Sequence, residues 1–68
     1  MLVQSIVFPK SKFSQREAIK WIYEHKYEVH KIDITPNFYR FRQHEPSPGA
    51  KYISKTLPNG VILVMISR

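Results

Sequence analysis

Apolar and polar residues change their spacing along this chain, and each change marks a new element. Leu2-Val3-Gln4-Ser5-Ile6-Val7-Phe8 is β-branched and aromatic, has apolar residues on both faces and stops at Pro9. That pattern predicts an interior strand, or an edge strand covered by a helix. After Pro9-Lys10-Ser11-Lys12-Phe13 the period becomes helical: Ala18, Trp21, Ile22 and His25 form one stripe, flanked by Ile19 and Tyr23. Arg16, Lys20 and Glu24 form the opposite stripe. Ser14-Gln15-Arg16-Glu17 has the form of a capping box, with Phe13 and Ala18 at the staple positions. The predicted helix therefore starts after Ser14 and runs to about His25.

Beyond Tyr27 the period shortens to that of strands. Val29, Ile32 and Ile34 lead into Thr35-Pro36-Asn37, a turn, which predicts a hairpin between Lys31–Thr35 and Phe38–His44. Glu45-Pro46-Ser47-Pro48-Gly49 has loop composition. Lys51–Leu57 alternates, with Lys51, Ile53 and Lys55 opposite Tyr52, Ser54 and Thr56. Pro58-Asn59-Gly60 predicts a tight hairpin turn with a positive φ at Gly60. Val61–Ile66 is apolar on both faces, the pattern of a central strand. The order is β-α-β-β-β-β, which predicts an α+β fold, one helix on a small, mostly antiparallel sheet. Sixty-eight residues leave room for a single domain, 1–68.

Composition adds a partner class. Eleven basic and five acidic residues give a formal net charge of +6, which favours polyanions such as DNA or RNA. The absence of cysteine excludes disulfides and thiolate metal sites and fits a reducing compartment. The apolar run at Leu2–Phe8 is too short to span a membrane and lacks the features of a signal peptide, so an intracellular protein without a membrane partner is expected.

The chemistry concentrates in Asn37-Phe38-Tyr39-Arg40-Phe41-Arg42-Gln43-His44. As a strand, it places Phe38, Arg40, Arg42 and His44 on one face and Tyr39, Phe41 and Gln43 on the other. Tyr39, Phe41 and Trp21 are expected in the core, while Phe38 beside the turn is the exposed ring. Arg40 and Arg42 can grip phosphates, with Lys51 and Lys55 on a neighbouring strand widening the patch. The competing reading pairs the arginines with Asp33 and Glu45. Lys10, Lys12, Arg16 and Lys20 form a second basic cluster at the helix start, where the dipole also favours anions.

Other chemistry has less support. His25, His30 and His44 match no zinc signature, and no acidic cluster accompanies them, so neither metal nor cofactor is expected. No carboxylates are paired in sequence and Glu17 is committed to the cap, so no catalytic residue is assigned.

Val3-Gln4-Ser5-Ile6-Val7-Phe8-Pro9-Lys10, Ala18-Ile19-Lys20-Trp21-Ile22 with Glu24-His25, Asn37-Phe38-Tyr39-Arg40-Phe41-Arg42-Gln43 and Asn59-Gly60-Val61 together resemble a family of small viral modules. That family occurs in tailed bacteriophages and large eukaryotic DNA viruses. The likeness covers nearly the whole chain, and Tyr-Arg-Phe-Arg-Gln is its most specific block. It implies a viral origin, and hence an infected cell or a virion as location; it implies no activity. Lys26 departs from the pattern, standing where the family often has a glycine suited to a left-handed helix cap.

The expectation from residues and resemblance is a small basic nucleic-acid-binding module that is not an enzyme. The alternative is a viral structural or protein-interaction module binding an acidic host or viral protein. A third reading is a small RNase using His30 or His44. Exposed strand edges also allow a homodimer.

Overall fold

The computed structural model describes residues 2–29, 31–44 and 49–67. The elements are β1 (Leu2–Pro9), α1 (Gln15–Glu24), β2 (Ile32–Ile34), β3 (Phe38–Arg42), β4 (Lys51–Thr56) and β5 (Ile62–Ser67). The strands form one sheet in the order β2-β3-β1-β5-β4, with every pairing antiparallel. The α+β fold and its element order agree with the sequence pattern. The middle strand is β1, however, with β5 beside it, so Val61–Ile66 is interior without being the centre.

Local chemistry fixes the helix ends. The Ser14 hydroxyl accepts from the Glu17 N–H at 3.1 Å, and the Glu17 carboxylate accepts from the Ser14 N–H at 3.0 Å. This closes the capping box and satisfies two otherwise orphaned donors. At the other end Lys26 takes φ 60°. It adopts the left-handed conformation that glycine takes without steric cost.

One face of the sheet packs on the helix. Ile6 and Phe8 of β1, Phe41 of β3, Ala18 and Ile22 of α1 and Val61 are fully buried. Phe8 is the hub: Phe13, Trp21 and Phe41 each meet its ring edge to face, with centroids 5.3–5.7 Å away. Burying a ring of this size is worth about 1.5–3 kcal/mol. Tyr39, Leu63 and Ile32 pack around this cluster. Among the described residues, the opposite face of the sheet carries no helix.

The β4–β5 hairpin closes through a turn from Leu57 to Gly60, whose N–H donates to the Leu57 carbonyl at 2.9 Å. Gly60 has φ 97°, as a turn of this kind requires. The Thr35–Phe38 turn is tied twice: the Thr35 hydroxyl accepts from the Phe38 N–H and donates to the Phe38 carbonyl.

Candidate nucleic-acid interface

Register across the sheet decides which side chains share a face. On the helix-free face, one row runs Asp33, Arg40, Val7, Ile62, Thr56 across all five strands. The next runs Arg42, Ser5, Val64, Ser54. Phe38, opposite Pro9, stands at one end of this face, and Tyr52, opposite Ile66, at the other. Both rings are exposed, Phe38 at 36% and Tyr52 at 44%.

The two arginines are held differently. The pairing of β1 with β5 shifts register between Val3 and Ser5, a bulge at Gln4. Gln4 and Ser5 are fully buried. The Gln4 side-chain carbonyl accepts from the Ser5 hydroxyl at 2.8 Å and from Arg40 Nη2 at 3.2 Å, while its amide donates to the His44 carbonyl at 2.9 Å. A neutral amide therefore orients the Arg40 head, while Asp33, its register partner on β2, pairs with Arg42. Arg42 Nη2 donates to Asp33 Oδ2 at 3.1 Å. The sequence left Asp33 open as a rival partner for the arginines, and it is one for Arg42. Both arginines are half-buried.

Lys51 and Lys55 do not widen that patch. β4 lies at the far edge, separated from β3 by β1 and β5. Lys55 stands opposite Leu63, and Leu63 opposite Ile6, which places Lys55 and Lys51 on the helix side of the sheet. The antiparallel order that makes β1 the middle strand pushes β3 and β4 apart. His44 is corrected as well. The ladder ends at Arg42, and the Gln43 and His44 N–H groups both turn to the Gln4 carbonyl, so His44 lies beyond the strand face.

Register instead puts Lys55 on the side of the sheet where the second basic cluster begins. The Lys12 side chain lies across Gly60: a β-carbon there would sit 2.7 Å from Lys12 Cδ. Lys12 thus spans from the β1–α1 connection to the β4–β5 turn, beside which Lys55 projects on the same side. Lys10 Nζ stands 5.2 Å from the centre of the Tyr39 ring, a cation–π contact on this side of β3. Arg16 in the first helical turn and Lys20 one turn later are exposed. Glu17, the acidic residue of that turn, is engaged by Ser14, whose N–H and then hydroxyl hold its carboxyl below the ordinary value.

Of the histidines, His25 stacks flat on Trp21 with centroids 3.7 Å apart, and its Nδ1 lies 2.9 Å from the Trp21 carbonyl. His30 lies outside the described residues, as does Glu45. Among the described residues no three His, Cys, Asp or Glu side chains group as metal ligands, and no helix is long and apolar enough to cross a membrane.

Neither Gln4 nor Tyr52 stands out in the sequence as a site residue. Consecutive polar residues Gln4-Ser5 inside an apolar strand are the signal for the bulge. Tyr52 was visible only as a member of an alternating strand whose face was unassigned. Comparison with family models, curated proteins and solved structures gave no match.

Proposed function

We propose that this protein is a small basic nucleic-acid-binding module of viral origin, acting through phosphate contacts. The observation that carries the reading is the Lys12 side chain lying across Gly60 of the β4–β5 turn, with Lys10 over Tyr39 and exposed Arg16 and Lys55 in the adjoining elements. The four cations of this rim, drawn from the β1–α1 connection, α1 and β4, suit contacts with successive phosphates of a strand. The net charge of +6 adds long-range attraction to any polyanion. Nothing in this rim reads bases, so the affinity is sequence-tolerant and salt-dependent.

The alternative, an acidic protein partner, draws on β4, an edge strand whose side chains are exposed on both faces. Lys51 and Lys55 on that strand discourage pairing with another strand, which favours the phosphate reading. Titrating labelled oligonucleotides of unrelated sequence at two salt concentrations tests it. Similar affinities across sequences, falling steeply with salt, support nucleic-acid binding; no binding at low salt refutes it.

A further inference from the structure

We infer that the helix-free face of the sheet is a platform for single-stranded nucleic acid, its bases stacking on Phe38 and Tyr52 with Arg40 between them. This rests on the phosphate-binding reading above and adds which form of nucleic acid is preferred. The two rings share a face although they come from β3 and β4, because both side chains fall on the same side in register. They lie three rows and three strand spacings apart, a diagonal of about 25 Å at ordinary strand dimensions. Along that diagonal lie half-buried Val7 and Val64 and exposed Ser54, with buried Ser5 and Ile66 beside them. Exposed rings flanked by apolar side chains suit unpaired bases, whereas a duplex keeps its bases stacked on one another and out of reach.

Charge selects the occupant. Arg40 is half-buried and bonded to the neutral Gln4 amide rather than to a carboxylate, and a phosphate beside the stacked base would give it a charged partner. The Phe38 end of the platform borders the rim that holds Lys10, since the Lys10 N–H donates to the Asn37 carbonyl. One strand can therefore run from the lysine rim onto the sheet. A second copy of this chain would bring another +6 against the same surface, which opposes self-association.

The test compares the parent with a Phe38→Leu/Tyr52→Leu variant, measuring binding to a labelled mixed-sequence single strand and to a hairpin duplex of equal charge. The parent prefers the single strand. The variant loses on the order of tenfold per ring on the single strand, while duplex binding changes less than about twofold. Ser54→Glu, at an exposed position, is the second variant and covers the case where the ring variant does not fold. A carboxylate there lowers single-strand affinity more than duplex affinity.

Parent-like single-strand affinity in the variants, with phosphate binding intact, overturns the platform and leaves the rim. A parent that binds neither probe overturns both. A parent that sediments as a dimer, and variants that become monomers with unaltered nucleic-acid affinity, assign this face to a second copy and overturn the platform.

Discussion

Lys12 Cδ lies 2.7 Å from where a β-carbon on Gly60 would stand, so the lysine stem occupies the space that glycine leaves open. This contact ties the β1–α1 connection to the β4–β5 turn. It also links stability to the proposed site, because the residue that fills the gap carries one of the rim charges.

Gly60→Val meets a φ of 97°, while the exposed Lys12 side chain beside it is flexible and swings aside. A β-branched residue forced into that conformation costs more than about 1 kcal/mol. Thermal melts of Gly60→Val with and without Lys12→Ala check this: the loss is nearly the same in both backgrounds, because the backbone conformation carries it. A Gly60→Val melt equal to the parent's contradicts the turn geometry.

Lys26→Gly removes a left-handed conformation from a residue with a β-carbon. It stabilises the domain by about 1 kcal/mol, which in a domain of this size raises Tm by about 4–8 °C. A lower Tm for Lys26→Gly would mean that the glycine's added freedom in the unfolded chain outweighs the relief.

Ser14→Ala removes the cap and costs about 1 kcal/mol at neutral pH. The Glu17 carboxyl is held below its ordinary value of 4.5 by the Ser14 N–H and then by its hydroxyl. A depressed folded-state value means a contribution that is present above the unfolded value and lost as pH falls through the folded one. The substitution keeps the backbone N–H and removes only the hydroxyl, so the melting gap between parent and Ser14→Ala narrows by the hydroxyl's smaller share as pH drops below 4.5. A gap that widens on acidification contradicts the reciprocal cap.

Much of this fold was legible because local rules and packing agree. The Ser14–Glu17 box, the Asn59-Gly60 turn and the alternation of Tyr39 and Phe41 against Arg40 and Arg42 each follow from a few neighbouring residues. The site was less legible because it depends on strand order. Lys51 and Lys55 alternate as expected, yet their position relative to Arg40 follows from β1 lying between the two hairpins, which no local pattern encodes. The Lys12–Gly60 contact is equally non-local. The Gln4 bulge left a trace in the polar pair Gln4-Ser5, though its partner Arg40 lies 36 residues away.

That network has a measurable consequence. Gln4→Leu leaves the buried Ser5 hydroxyl and the Arg40 head without their shared acceptor, a loss of about 1–3 kcal/mol. Arg42→Gln breaks a partly exposed pair with Asp33, and the loss of that pair costs no more than about 1 kcal/mol. Urea titrations of both variants should show Gln4→Leu as the weaker protein. The reverse order would mean that Asp33 and Arg42, rather than Gln4, anchor this face.

The most direct test of the account is the salt dependence of oligonucleotide binding in Lys12→Gln/Lys55→Gln. Each lost phosphate contact lowers the slope of log K against log salt by about 0.7 on a single strand and about 0.9 on a duplex. The double variant is predicted to lose about 1.4 and about 1.8 from the respective slopes, to the same extent on every sequence tried. An unchanged slope and affinity in a folded double variant would contradict the rim as the phosphate-binding surface.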